Sequence, residues 1–147
     1  MQVVVKVIAT FFGIGYIPFI AATWASAAAA ALCWYVIPSE QIPYWIAVFT
    51  IAGLWACLPS RAVFRSEDPA QFVMDEVCGM MIGLLWIPFE PTLYIAGFII
   101  FRLFDWLKPW PISRIQASRH PWSIVGDDLL AGVFTNLVLQ AAMRTVL

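Results

Sequence analysis

The chain shows its class in one stretch: residues 66–87 read SEDPAQFVMDEVCGMMIGLLWI. Acids stand at Asp68, Asp75 and Glu76, and a largely apolar run follows them as far as Ile87. Carboxylates at membrane depth are costly, so they usually face a cavity and mark a functional site. The stretch therefore predicts a membrane helix that begins with a polar, functional end.

The rest of the chain has the composition of a protein in contact with lipid. Hydrophobic residues make up 63% of the 147 residues and charged residues 12%, against about 45–50% and about 25% in soluble domains. The length predicts a single domain covering residues 1–147. The net charge of -1 provides no field that would attract nucleic acid, so nucleic acid is not an expected partner.

Prolines and polar residues divide the apolar sequence into helices. We expect an all-α, polytopic membrane helical bundle with about four to five membrane helices, plus a short N-terminal helix within residues 2–12. The second helix should end before Pro59, Pro69 should be an early position of the third, and residues 108–126 should form a basic link. Asp127 and Asp128 should lie in the first turn of the last helix. The predicted membrane helices cover residues 19–37, 42–57, 69–87, 91–107 and 127–147.

Basic residues are concentrated in alternate connections between these helices. Residues 58–70 and 102–126 contain six arginines and lysines, whereas residues 38–41 and 88–90 contain none. By the positive-inside rule, the first pair of segments faces the cytoplasm. We therefore expect an integral membrane protein with its functional site on the cytoplasmic side.

Six of the nine acids fall at the predicted cytoplasmic ends of the helices. They are Asp68, Asp75, Glu76, Asp105, Asp127 and Asp128. Gathering carboxylates is costly unless a cation neutralises them, and oxygen ligands of this kind suit magnesium or manganese. Zinc has little support, because the three cysteines are far apart and form no cluster with the single histidine.

A second group of charges is spaced at helical intervals. Arg102, Asp105 and Lys108 are each three residues apart, so they line one helix face. Beside a metal, a guanidinium and an ammonium group form a pocket suited to phosphate. The alternative for these three is an interfacial ion-pair ladder, and for the Asp127–Asp128 pair it is helix capping.

Gly79 and Gly83 form a pair of small residues on the third predicted helix. Such a pair predicts close approach of a neighbouring helix, which would bring the acids of the two helices within reach of each other.

Three longer motifs resemble those of one family. Residues 68–79, DPAQFVMDEVCG, resemble the D-P…D-E-x-x-G motif of phosphatidylglycerophosphatase A. Residues 101–112, FRLFDWLKPWPI, are similar to its F-R-x-x-D-x-x-K-P-x-P-I motif, and residues 127–132, DDLLAG, are similar to its D-D-x-x-A-G motif. Residues 13–26, GIGYIPFIAATWAS, look like the family's start, although alanines replace the proline and both glycines of its P-G-T-x-G-S segment.

The resemblance implies an all-helical phosphatase of phospholipid biosynthesis in the bacterial inner (cytoplasmic) membrane. It implies magnesium-dependent removal of phosphate from phosphatidylglycerophosphate, the expected lipid partner, to give phosphatidylglycerol. The expected metal ligands are Asp75, Glu76, Asp127 and Asp128. Asp105 would be a ligand or a base, Arg102 and Lys108 would hold the phosphate, and Thr23 and Ser26 would assist them. A covalent aspartyl-phosphate is the alternative mechanism.

Two functions of other classes stay open at this point: a small membrane transporter that uses the intramembrane acids as a relay, and a non-catalytic membrane subunit. Clustering of the acids at one face argues against a relay that threads the bilayer. Metal-dependent phosphate release is predicted by the phosphatase hypothesis alone. The sequence is also compatible with a homo-oligomer.

Overall fold

The computed structural model describes residues 1–146, and these residues form helices and turns without a β-strand. This confirms the predicted all-α class and the short N-terminal helix. Short 3-10 turns cover Ile14–Tyr16 and Ser39–Gln41. The helices are α1 (Gln2–Ala9), α2 (Ala21–Tyr35), α3 (Ile42–Phe64), α4 (Met74–Gly83), α5 (Pro91–Leu107), α6 (Ile112–Ala117) and α7 (Ser123–Val146).

The short helix α4 forms the centre of the structure. It packs against α2, α3, α5 and α7, most extensively against α7, and eight of its ten residues are buried. Ten residues rise about 15 Å, which is half of the roughly 30 Å that a membrane crossing requires. The helix predicted for residues 69–87 is therefore shorter than expected and lies inside the protein.

Glycines allow α4 and α7 to approach closely. A Cβ atom on Gly79 would lie 2.7 Å from Cε2 of Phe101 and still closer to the backbone carbonyl oxygen of Asp128. Gly132 on α7 lies equally tightly against the backbone of Gly79. The predicted close approach at Gly79 is confirmed, and it fixes the acids of α4 beside those of α7.

A side-chain amide completes the end of α4. The Nδ2 atom of Asn136 on α7 donates to the carbonyl oxygens of Gly83 at 3.2 Å and of Leu85 at 2.7 Å. Carbonyls at a helix C-terminus have no partner within the helix, and inside a protein another group must satisfy them. Asn136 therefore allows α4 to end within the bundle.

Two prolines do not act as the sequence predicts. Helix α3 continues through Pro59 to Phe64, so the predicted end at Cys57 is wrong. Proline removes one helical hydrogen bond, and in this turn the Ser60 hydroxyl donates to the Cys57 carbonyl at 2.7 Å. The predicted start of the third helix at Pro69 is also wrong. The Val73 amide instead donates to the Ala9 carbonyl at 2.8 Å, and α4 begins at Met74.

The region before the last helix is more ordered than expected. Residues 112–117, predicted to be part of a link, form α6. Helix α7 begins at Ser123, whose hydroxyl donates to the His120 carbonyl at 2.7 Å. The expectation that the Asp127–Asp128 pair occupies the first turn is therefore wrong, and so is the capping alternative. Both acids lie one turn further into the helix and are buried.

Two described helical stretches are long and apolar enough to cross a membrane: Ser39–Phe64 and Ser123–Val146, with mean hydropathy of 1.6 and 1.4. This is fewer than the four to five membrane helices expected. Large apolar side chains on the outer face of α3, such as Ile51, Leu54 and Leu58, are exposed. Extensive exposed apolar surface is typical of contact with a membrane or a partner, and these features indicate a membrane-associated protein.

Candidate active site

One open cavity of about 1020 Å³ collects the polar ends of several helices. Its polar lining comes from the end of α3, the beginning of α4, the end of α5 and the first turns of α7. The lining also includes residues 16–20, YIPFI, which we call the apolar wall. The cavity therefore combines a charged part, which we call the floor, with an apolar wall.

Three carboxylates from α4 and α7 meet at the floor. Asp75, Glu76 and Asp128 each offer one oxygen atom, and these atoms lie within 4.8 Å of one another. The glycine contact between α4 and α7 produces this meeting, because it places the Asp128 turn directly against Gly79. The structure thus brings together three of the four predicted metal ligands.

The fourth predicted ligand, Asp127, is engaged differently. Its Oδ2 atom accepts a hydrogen bond from Nζ of Lys108 at 2.8 Å, and its Oδ1 atom accepts from the Asp128 amide at 3.0 Å. Lys108 also donates to Oδ1 of Asp105 at 3.1 Å, and Arg102 donates to Oδ2 of Asp105 at 2.6 Å. The three residues share one helix face, as predicted, and they form the ion-pair ladder that the sequence offered as the alternative, which extends across to α7.

The position of Lys108 follows from the way α5 ends. Lys108 is the C-cap of the helix with a left-handed φ of 43°, and Pro109 prevents the helix from continuing. The ammonium group lies 3.9 Å from Oδ1 of Asp128, next to the three-carboxylate cluster. Lys108 therefore links the ion pairs of α5 to the acids of α7.

Charges in the cavity do not balance. Seven acids and four basic residues line it, which leaves an excess of three negative charges when all are ionised. A phosphate ester is itself an anion, so this surface would repel it unless a cation were bound. The acids are Glu67, Asp68, Asp75, Glu76, Asp105, Asp127 and Asp128, and the basic residues are Arg61, Arg102, Lys108 and Arg119.

Proton affinities of the cluster reflect this crowding. Burial raises the pKa of Asp75 well above its usual value, and the Glu76 carboxyl group adds to the shift. Burial also raises the pKa of Glu76. Burial alone would lower the pKa of Lys108, but the carboxylates of Asp128, Asp127 and Asp105 outweigh it and hold that pKa above its usual value. Lys108 is thus a cation at neutral pH, whereas the raised pKa values of Asp75 and Glu76 show that nearby positive charge does not offset the burial of these two carboxylates.

A hard divalent cation fits the cluster by the chemistry of its donors. Oε2 of Glu76 and Oδ2 of Asp128 are buried and have no hydrogen-bond partner within residues 1–146. A buried carboxylate oxygen without a partner is costly, and an all-oxygen set of this kind suits a hard divalent cation. Asp75, Glu76 and Asp128 are therefore the residues that could hold the metal.

The remaining predicted residues lie at different distances from the floor. Thr23 and Asp68 line the cavity, Thr23 next to the apolar wall and Asp68 on an exposed loop. Ser26 is fully buried on α2, its hydroxyl donates to the Ala22 carbonyl at 2.9 Å, and it is not among the residues that line the cavity. The structure brings Thr23 to the cavity and does not bring Ser26 there.

Sequence reasoning missed two arginines. Arg61 lies in the last turn of α3, and Arg119 follows α6; both line the cavity. The sequence predicted that α3 ends before residue 61, which placed Arg61 in a loop. A helix allowed to run through Pro59 would have carried Arg61 toward the acids, so the missed signal is the proline-containing turn.

Known relatives establish the class of this protein first: it is a phosphatase. The sequence model of the family described as "Phosphatidylglycerophosphatase A" matches residues 7–143. The chain belongs to this family. No solved structure matches the chain.

Three curated relatives support the assignment. A Bacteroides thetaiotaomicron protein named "Putative phosphatidylinositol-3-phosphatase" is 33% identical over 146 residues, covering 92% of this chain and 91% of the relative. Phosphatidylglycerophosphatase A of Escherichia coli is 31% identical, covering 90% of this chain and 79% of the relative. Phosphatidylglycerophosphatase A of Haemophilus influenzae is 30% identical, covering 93% and 87%. The relatives thus differ in the lipid that their names specify.

Proposed function

We propose that the protein hydrolyses the phosphate monoester of phosphatidylglycerophosphate, giving phosphatidylglycerol and phosphate, and that the reaction depends on Mg²⁺. The observation that carries this proposal is the meeting of Asp75, Glu76 and Asp128 beside Lys108 in one open cavity. The names of the Escherichia coli and Haemophilus influenzae relatives support the choice of lipid.

In this proposal the cations of α5 bind the phosphate that is removed. Arg102 and Lys108 are held 2.6 Å and 3.1 Å from the two oxygens of Asp105, so Asp105 orients both donors toward the cavity. Their N–H groups donate to phosphoryl oxygens and stabilise the negative charge that develops there. Asp75, Glu76 and Asp128 would hold the Mg²⁺, which would supply positive charge next to the phosphoryl group and lower the pKa of water.

The apolar wall gives the lipid part of the substrate a place beside the same cavity. Phe19 and Ile20 are exposed and lie in the cavity lining, where an acyl-glycerol group can contact them while the headgroup reaches the floor. The four basic residues that line the cavity come from the segments predicted to face the cytoplasm. We therefore propose an integral protein of the inner membrane with the cavity on the cytoplasmic side.

Phosphate release from phosphatidylglycerophosphate in mixed micelles tests the proposal. We expect release by the purified protein with Mg²⁺, loss of release with excess chelator, and recovery when Mg²⁺ is restored. Release that persists after exhaustive chelation would contradict the metal dependence.

The Bacteroides thetaiotaomicron relative motivates a second substrate in the same assay. Phosphatidylinositol 3-phosphate also carries a phosphate monoester on a polyol headgroup, so the same floor could bind it. We expect a lower kcat/KM for this lipid than for phosphatidylglycerophosphate. The reverse order would reassign the substrate and keep the chemistry. No release from any phosphate lipid would favour a transporter or a non-catalytic subunit.

A further inference from the structure

Arg61 and Arg119 form a second cationic position in the cavity. Nη2 of Arg61 donates to the backbone carbonyl of Arg119 at 3.4 Å, which is a long hydrogen bond. Nε of Arg61 is buried and has no hydrogen-bond partner within residues 1–146. The contact holds α3 next to the segment that follows α6, and it leaves guanidinium N–H groups uncommitted.

The two cationic positions differ in their partners. Arg102 and Lys108 are paired with Asp105 and Asp127 at 2.6–3.1 Å. In the described part of the chain, no carboxylate oxygen lies within the 4.0 Å of an ion pair from either Arg61 or Arg119. A buried N–H without an acceptor is costly, and a guanidinium group presents its N–H groups in a fork that suits two oxygens of a phosphate. The second position is therefore suited to an anionic group of a ligand.

We infer that Arg61 and Arg119 bind the phosphodiester of the lipid while the monoester lies at the acid floor. This inference rests on the proposed function, because phosphatidylglycerophosphate carries both groups on one glycerol. A phosphodiester keeps a single negative charge and is not hydrolysed, so cations that are not already paired with a carboxylate suit it. Arg61 and Arg119 make no ion pair in the described part of the chain, and they line the same cavity as the apolar wall.

The consequence is substrate selection by two phosphates. A lipid with a phosphodiester and a monoester would contact both cationic positions, whereas phosphatidate has a monoester alone and would contact the floor only. The arginines would thus act on specificity and not on the chemical step.

Binding of two soluble fragments separates the positions. Glycerophosphoglycerol, the deacylated product, carries only the phosphodiester, and inorganic phosphate represents only the group that is released. We expect Arg61→Gln to weaken glycerophosphoglycerol binding to the detergent-purified, Mg²⁺-supplemented protein by about 10- to 100-fold, the effect of losing a charge-assisted contact. Inorganic phosphate should bind within about twofold of the wild-type affinity, which also reports that the floor is folded.

Matched variants complete the experiment. Arg119→Gln changes an exposed residue and should reproduce the selective loss even if Arg61→Gln were to misfold. Arg65→Gln and Arg114→Gln remove exposed arginines that do not line the cavity, and both should bind the two fragments like the wild type. In turnover, the Arg61 and Arg119 variants should raise KM for phosphatidylglycerophosphate with little change in kcat.

Distinct outcomes separate this inference from the proposed function. Equal loss of both fragments, or unchanged glycerophosphoglycerol binding in both variants, would overturn the inference. Absence of turnover by the wild-type protein would overturn the proposed function, and the binding measurements would still decide the role of the arginines.

Discussion

The floor and the apolar wall of the cavity are built in opposite ways. At the floor, Asp75 and Asp128 are only 7% and 2% exposed, and the glycine contact between α4 and α7 fixes their backbones. At the wall, Phe19 is fully exposed and has a left-handed φ of 73°. The difference indicates that packing between helices holds the floor in place, whereas the wall is open.

This contrast has a physical reason. Carboxylates can share a cation only if their oxygens are held together against mutual repulsion, and tight packing does this. An acyl-glycerol group needs apolar contact that tolerates different chains, and a wall of exposed Tyr16, Phe19 and Ile20 side chains offers it. Substitutions at the floor should therefore affect turnover strongly, and those at the wall should affect lipid affinity mildly.

The largest expected effect is at the floor. Asp75→Asn removes one charge from the three-carboxylate cluster and should reduce phosphate release by about 10³-fold or more, equivalent to roughly 4 kcal/mol of transition-state stabilisation. Circular dichroism and gel filtration in detergent should show a folded protein. Glu67→Gln is the control, because Glu67 also lines the cavity but is exposed. Wild-type turnover in Asp75→Asn would show that the three-carboxylate cluster is not needed for the reaction.

We expect an intermediate loss of activity from a change at the glycine contact between α4 and α7, which supports the floor. Gly79→Ala would place a Cβ atom against the Asp128 carbonyl and the Phe101 ring, so α4 and α7 would have to separate. We expect a loss of about 1–3 kcal/mol in unfolding free energy and about tenfold or more in turnover. Thermal denaturation measures the loss of stability, and phosphate release measures the loss of turnover.

Gly53→Ala provides the comparison for that variant. Its Cβ atom would meet Cγ of Met74 at 3.1 Å, and a flexible methionine side chain can move aside. Equal losses of stability and turnover in the two variants would argue that replacing any helix glycine lowers activity, and that the α4–α7 distance is not the cause.

The smallest effect is expected at the wall. Phe19→Ser changes a fully exposed side chain, so stability should change by less than about 0.5 kcal/mol. If the wall contacts lipid, KM for long-chain phosphatidylglycerophosphate in micelles should rise about three- to tenfold through lost apolar contact. A water-soluble short-chain analogue serves as the control and should show no change. A fall in kcat for both substrates would place Phe19 with the floor instead.

Local sequence signals predicted the well-bounded parts of this fold. Helix α5 agrees with its prediction because Pro91 opens it and Pro109 follows its last residues, both strong local signals. Pro59 misled because a proline inside a helix removes one hydrogen bond without having to end the helix, and α3 continues through it with a local bond from the Ser60 hydroxyl. Pro69 misled because a tertiary contact holds the chain after it: the Ala9 carbonyl accepts a hydrogen bond from the Val73 amide.

The sequence predicted which residues form the candidate site but not which residues each of them contacts. The gathering of acids followed from their places at helix ends, but the pairing of Lys108 with Asp127 depends on α7 beginning one turn earlier than expected. The contact between Arg61 and Arg119 joins residues 58 positions apart, and no local pattern encodes it. Packing between segments that are distant in the sequence determines both contacts.

The amide of Asn136 has a consequence for how the enzyme meets different bilayers. Since it closes α4 within the bundle, the length of α4 is independent of the thickness of the surrounding hydrocarbon. If α3 and α7 cross a membrane, as their apolar length allows, longer acyl chains would change the tilt of these two helices without stretching the helix that carries Asp75 and Glu76. The position of the carboxylates is therefore set by contacts among helices and not by the surrounding lipid.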